Sequence, residues 1–503
     1  MVTRTYGLSG SGMDVDQMVK DLMKAQRVRY DTMVQKKTQV EWKKADFNTM
    51  YNSISDFRNT VFNYKLQSTL QPKQVTSSNE AVASITANTD AANISHDLTV
   101  HQLATGAKKA SSAAITADGK TKDTLANQFG VTGTFDIVLN DGTASKTISV
   151  DSSKSIYELV ANINNSGLNI KASYDTTLDR FFLSTTKTGE TAKIDLSANT
   201  GTGQTFLENS LKLGAVANVG SGQDAIFSLD GIGSTTDVAA ATNLKMDSNS
   251  FTISGVTYNL KSTGSTNATV LSDNDKAIAS VKAFVEAYNT ALSKVNGELK
   301  ETKYSDFLPL TADQRSDMSE SEIKTWEEKA KSGTLRNNSI LQSMVNSMRS
   351  SISTPISGLT GKYNTMSSIG ITTGSYTENG KLYLNETKLK EALEADPDIL
   401  TKMFTTDGEN SSKDGIATRL YDTLKVSMDK ISTEAGITAS IDTDTKSALA
   451  KKIIEYNKSI EAFNDRMADL EERYYTQFNA METALSKLSQ QSSWLTQQFS
   501  IGS

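Results

Sequence analysis

Near the C-terminus, apolar residues recur at intervals of seven: Ile453, Ile460, Met467, Tyr474, Met481, Leu488 and Leu495. Seven is an odd number, so a strand would throw successive members to opposite faces, whereas two turns of helix bring them back to one. A seam sustained in this way keeps one side of a helix against a partner helix, which is the coiled-coil pattern. Tyr456, Phe463 and Leu470 occupy the companion position, which then becomes Gln477, Ala484 and Gln491. An amphipathic helix lying on an ordinary core is the alternative, and seven unbroken repeats favour a coiled coil or bundle. The N-terminal stretch from Asp14 to about Leu70 follows the same rule, with Met33, Val40, Phe47, Ile54 and Val61 in one row and Met50, Phe57 and Tyr64 in a second. Asp14 is expected to cap this helix with Gln17 as reciprocal partner, and Pro72 to end it.

Charge suggests that the two ends pair. Residues 20–44 hold eight basic and three acidic side chains, a net of +5, while residues 461–482 hold two basic and six acidic, a net of -4. Opposite fields of this kind select partner and orientation more than they add stability.

Between the ends the composition shifts to Thr, Ser, Asn, Gly and Asp, from about Gln74 to Ser272. Phe135–Leu139 and Thr147–Val150 alternate as strands around Asn140-Asp141-Gly142, a hairpin signal. One helix is expected at Ser155–Asn164, with further strand runs at Lys171–Tyr174, Arg180–Ser184, Ala225–Leu229 and Phe251–Leu260. Helix returns at Asp273 to about Glu298 and at about Thr311 to Ser350, the latter containing a Ser319–Glu322 capping box. A short strand follows at Gly380–Leu384. Helices then cover Glu386–Leu393 and Pro397–Phe404, the second capped by Asp396 with Pro397 at its first position. A chain of 503 residues exceeds a single core. The expected fold class is therefore α+β multidomain, with N- and C-terminal helices forming a coiled coil or helical bundle around inserted β-rich head domains. Four regions are expected: residues 1–45 with 455–503, 46–75 with 273–454, 76–115 with 213–272, and 116–212.

Chemistry has little to work with. Cysteine is absent, and the two histidines are His96 and His101, five apart in a strand-like run and read as structural or surface residues. Thiol nucleophiles, disulfides and cysteine-ligated metals are thereby excluded. Gly7, Gly10 and Gly12 lack the spacing and the preceding strand of a phosphate loop. The pairs Asp14 with Asp16, Asp273 with Asp275, and Asp442 with Asp444 each precede a helical run, where capping accounts for them. No catalytic, cofactor or metal residue is assigned, and the chain is expected not to be an enzyme. A net charge of -6 gives no footprint for nucleic acid, no run is long enough for a membrane span, and the start lacks a secretory signal.

Several segments, in order along the chain, resemble the flagellar filament-capping family, hook-associated protein 2. The most specific are Gly10-Ser11-Gly12-Met13-Asp14-Val15-Asp16-Gln17-Met18-Val19, continuing through Leu22 to Arg27, and Gly380–Glu386 followed by Leu389, Ala392, Leu393, Asp396, Pro397 and Phe404. Val100–Ala104 and Phe284–Asn289 resemble further family signatures, and residues 131–195 resemble the β motif inserted in flagellins and hook proteins. The resemblance implies a structural cap at the distal tip of the filament, outside the cell, exported without a cleaved signal peptide. It implies a ring of copies of the chain, often five, with the terminal helices as legs and the β domains as a plate beneath which flagellin folds and inserts. The partners so implied are the chain itself, flagellin, the flagellar export apparatus and a secretion chaperone. By position Trp494, Leu495 and Phe499 are the candidates for chaperone or filament contact, and the two seven-residue series are the candidates for the oligomer seam. Another axial protein of the hook–filament junction shares this organisation, and an adhesin for host mucin could use the same exposed β domains.

Overall fold

The computed structural model describes residues 14–116 and 123–500, the side chains of 498–500 excepted. It divides into two compact units: residues up to Leu70 together with those from Asn274 onward, and the contiguous stretch Gln71–Asp273.

The first unit is helical and begins with one long helix, Val15–Asn63. Asp14 caps it, its carboxylate accepting from the Gln17 N–H at 2.9 Å. The expected reciprocal bond is replaced, because the Gln17 side-chain amide turns along the helix to Asp21 at 3.0 Å. The helix ends at Asn63, short of the expected Leu70, and a single turn at Gln67–Leu70 follows. The break falls where Tyr64 enters the core, its ring 5.1 Å from Phe284 and its hydroxyl donating to the Ser280 carbonyl at 2.8 Å.

Phe47, Met50, Ile54, Phe57, Val61 and Tyr64 are buried in this core against Val281, Phe284, Val285, Tyr288 and Leu292 of the returning helix, Asn274–Lys300. Helices Ser339–Ser353 and Ile416–Ala435 complete it. The stretch expected as helical from Thr311 to Ser350 is three helices, Ala312–Ser316, Glu320–Lys331 and Ser339–Ser353, and the Ser319–Glu322 capping box opens the second. Leu382–Leu384 pairs antiparallel with Ile371–Thr373. The helix expected from Pro397 starts instead at Ile399, with Asp398 as its cap residue. Asp396 is held extended, at φ -146°, as a residue before proline prefers. Its carboxylate nevertheless accepts from the Asp398 N–H at 3.1 Å and pairs with Lys402 at 2.7 Å.

The second unit is β-rich and is entered and left by paired strands, Lys73 lying opposite Ser272. Its first core surrounds a five-stranded antiparallel sheet in the order Lys73–Ser77, Gly264–Ser272, Ile94–Gln102, Ala225–Leu229, Leu244–Met246. The expected run Phe251–Leu260 is a hairpin, Ser250–Ile253 with Val256–Leu260, because Ser254 and Gly255 both take positive φ (51° and 80°), as a two-residue primed turn requires. A second core gathers Ile137, Val150, Leu159, Phe181 and Phe206 around the hairpin Thr134–Asn140 with Ser145–Asp151 and the helix Ile156–Asn164. The hairpin loop spans four residues, and the buried Asp141 organises it by accepting from the N–H groups of Thr143 and Ala144 and from Asn169.

Candidate assembly site in the terminal helices

The C-terminal helix, Ala448–Ser500, runs antiparallel to the N-terminal one: Lys44 meets Asp444, Tyr30 faces Phe463 with ring centroids 6.2 Å apart, and the Tyr475 hydroxyl donates to Asp16 at 2.5 Å. Lys44 anchors one end of the pair. Its side chain is 1% exposed, and its ammonium donates to the Ala435 and Thr438 carbonyls at 2.6 Å each and to Asp444 at 2.5 Å. Burial alone would raise the Asp444 carboxyl, but Lys44 and donors from Ser447 and Lys446 hold it well below the ordinary range. The other end is a small cluster of Val15, Val19 and Tyr475, with Met23, Tyr474 and Phe478 packed on it.

Between these ends the helices leave a groove of about 610 Å³. Val19, Met23, Met467 and Tyr475 contribute to its lining, with Lys20, Lys24 and Arg27 on one side and Glu471 on the other. Members of the basic and acidic stretches therefore share one groove.

The expected seam residues fall into three groups. Phe47, Ile54, Val61 and Ile453 are buried, while Met33, Val40, Ile460, Met467 and Tyr474 are half-buried. Met481, Leu488 and Leu495 are exposed, at 39%, 60% and 51%, and so are Leu485 and Trp494. The Phe499 side chain lies outside what is described, and Gly7, Gly10 and Gly12 lie outside the described residues altogether. Phe463, of the companion row, is buried. One shift of register stands out: Tyr475 is buried where the series names Tyr474. A straight helix loses about 20° per seven residues. Three repeats beyond Ile453, Tyr474 therefore lags the face by about 60° and Tyr475 leads it by about 40°. Counting at 3.6 residues per turn would have found it.

The two histidines each have a loop partner. The His96 Nδ1 lies 2.6 Å from Asp230, and the His101 Nε2 lies 2.6 Å from the Ser234 carbonyl, so both histidines hold the loop between Ala225–Leu229 and Leu244–Met246. Among the described residues no group of three or more His, Asp or Glu is placed to hold a metal ion, and no helix is long and apolar enough to cross a membrane.

Long terminal helices in antiparallel pairing, a β-rich stretch inserted between them in the chain and a strip of exposed apolar side chains near the end of the second helix make up the architecture. Residues 11–107 match the N-terminus of flagellar hook-associated protein 2, residues 222–490 match its C-terminus, and residues 134–187 match the flagellin hook IN motif. The chain belongs to the flagellar hook-associated protein 2 family. The family member from Halalkalibacterium halodurans is 30% identical over 97% of this chain and 98% of its own length. The B-type protein of Pseudomonas aeruginosa is 27% identical over 87% and 85%. In fold, the chain is similar to the D1-D2-D3 domains of the flagellar cap protein FliD from Escherichia coli, with a TM-score of 0.58 at 20% identity, covering 82% of this chain and 99% of that one. As a member of this family, the chain is a structural cap of the bacterial flagellar filament.

Proposed function

We propose that copies of this chain form a ring at the distal tip of the filament, outside the cell, where they assist flagellin to fold and insert as the filament grows. Residues 1–45 with 455–503 are the legs, 46–75 with 273–454 the body that carries them, and 76–115 with 213–272 and 116–212 the inner and outer head. The observation that carries this proposal is the apolar strip Met481, Leu485, Leu488 and Leu495, which continues the seam of the helix pair with no described residue covering it. Exposed strips of this kind mark contact surfaces. A contact repeated head to tail between copies closes into a ring when its rotation allows. The same strip, with Trp494, is the surface for a secretion chaperone before assembly, and the chain leaves the cell through the flagellar export apparatus with no signal peptide removed. Immunogold electron microscopy tests the location. Label confined to distal tips supports a cap, and label at the filament base would instead place the chain at the hook–filament junction.

A further inference from the structure

Tyr376 is 87% exposed, more than any other large apolar residue among those described. Its backbone, by contrast, is firmly placed. Ser375 and Glu378 form a capping box around the single turn Tyr376–Glu378. The Glu378 carboxylate also accepts from the Tyr383 hydroxyl, and the Lys381 ammonium stands 5.2 Å over the Tyr383 ring. Gly380, at φ +94°, lies where a Cβ would stand 2.8 Å from Arg349. Asn289 of the returning helix fastens the following strand, donating to the Leu382 carbonyl at 2.9 Å and accepting from its N–H at 2.8 Å. Binding a tyrosine so carried does not require its backbone to be ordered first.

A hollow of matching chemistry lies elsewhere in the same unit, in residues 302–334. There the Phe307 and Trp326 rings stand 4.6 Å apart, the Lys329 ammonium lies 4.7 Å above Phe307, and the Trp326 N–H donates to the Leu308 carbonyl at 2.7 Å. With Met318 these half-buried rings line a space of about 330 Å³, bordered by the exposed Ser321, Glu322 and Thr325 of the helix Glu320–Lys331. That space is too small for a helix and suits one side chain. Ser319 donates to one Glu322 carboxylate oxygen through both its hydroxyl and its N–H, and so holds that carboxyl below the ordinary range. The other oxygen is left to a further donor. Aromatic walls beside an ionised acceptor are what a phenol calls for, with a ring to pack and a hydroxyl to donate.

Tyr376 does not fill the hollow of its own chain, since it stands exposed. Its turn is fastened at Asn289, whereas residues 302–334 leave the returning helix beyond Lys300, about 16 Å further along. Charge favours a match between copies. Residues 317–328, which supply most of the hollow, hold five acidic side chains and one basic, a net of -4. Residues 371–390 around the turn, with Arg349, hold four basic and two acidic, a net of +2.

We propose that Tyr376 of one copy seats between Phe307, Met318 and Trp326 of a neighbouring copy, its hydroxyl donating to Glu322. Knob and hollow are different surfaces of one chain, so the contact runs head to tail, as a ring requires. It adds a contact in the body to the one proposed in the legs, and rests on that reading of a ring.

The absence of cysteine gives a clean background for cross-linking. Thr377→Cys puts a thiol beside the tyrosine without removing it, and Ser321→Cys puts one at the border of the hollow; both positions are exposed. The two chains, mixed and treated with a short bismaleimide, are expected to form a heterodimer that adding Tyr376→Ala to the first chain abolishes. Sedimentation should show Tyr376→Ala self-associating about thirtyfold more weakly, as loss of a central interface tyrosine does, with Tyr376→Phe in between and melting unchanged. An oligomer that persists with no cross-link, or a cross-link indifferent to Tyr376→Ala, overturns the proposal and leaves the ring standing. A chain carrying both cysteines that links only to itself overturns it too. Unchanged association in Tyr376→Ala with filament growth lost would assign the tyrosine to flagellin instead. Single chains at every concentration of the unmodified protein would overturn ring and contact together.

Discussion

Lys44 illustrates how much one side chain can carry. An ammonium group has three protons, and here each has an acceptor: Ala435, Thr438 and Asp444. Replacing it with methionine keeps the stem but strips Asp444 of its cation, leaving that carboxylate only its Ser447 and Lys446 donors, and takes the ammonium donor from two carbonyls. Lys44→Met should therefore cost about 3–5 kcal/mol, read as a lower denaturation midpoint for the helical unit. Gly436 closes the same knot: at φ +73° a Cβ would stand 2.1 Å from the Asp444 carboxylate, so Gly436→Ala should weaken the unit by displacing that carboxylate while both charges remain in the chain. Because Asp444 is depressed in the fold, its contribution is complete above the ordinary carboxylate value of 3.8 and is lost as pH falls toward the folded one. None of this was legible in the sequence. Lys44 read as one more member of a basic run and Asp444 as a helix cap, because no local pattern links positions 400 residues apart. The histidines differ: the strand-like run around them is legible in the sequence, and their partners, Asp230 and the Ser234 carbonyl more than 130 positions away, are not.

At the scale of the element, the C-terminal helix has two halves with different obligations. Phe463 and Tyr475 are buried against the N-terminal helix, whereas Leu488 is 60% exposed. A charge should act differently in each. Met467→Glu, placed in the groove, is expected to loosen the pair and lower its melting temperature. Leu488→Glu should leave that temperature within about 0.5 kcal/mol of unchanged stability, because surface substitutions rarely exceed this. If the proposed ring is correct, Leu488→Glu still abolishes motility and reduces the oligomer to single chains in mass measurement. Motility and oligomer mass both unchanged would remove the strip from assembly. The seven-residue series announced both helices and their apolar faces, since periodicity is a property of one strand of sequence. Where the partner helix stops is a property of two, which is why Met481, Leu488 and Leu495 looked equivalent to Ile453.

On the scale of the whole molecule, topology dictates which part depends on which. The alternation of helix, strand and helix was legible, because composition and period both change along the chain. The dependence was not. Gln71–Asp273 is one uninterrupted stretch whose two cores are drawn wholly from its own residues, from Val82 to Val270. The helical unit is assembled from both flanks, and its core runs from Phe47 to Leu449. Contacts that far apart in sequence must meet the loop-closure cost before burial rewards them. A chain ending at residue 443 lacks Asp444, Leu449, Ile453 and the whole C-terminal helix, and leaves Lys44 with an unneutralised buried charge. Calorimetry on that chain should show the helical transition lost and the β-rich one retained at its original temperature. Residues 71–273 expressed alone should melt cooperatively at the same point, because the strands that close the unit, Lys73–Ser77 and Gly264–Ser272, pair with each other and need no flank to do so. Were the truncated chain to lose both transitions, the β-rich unit would depend on the helices after all. Were it to keep both, the Lys44 anchor and the final helix would be dispensable to the unit they close.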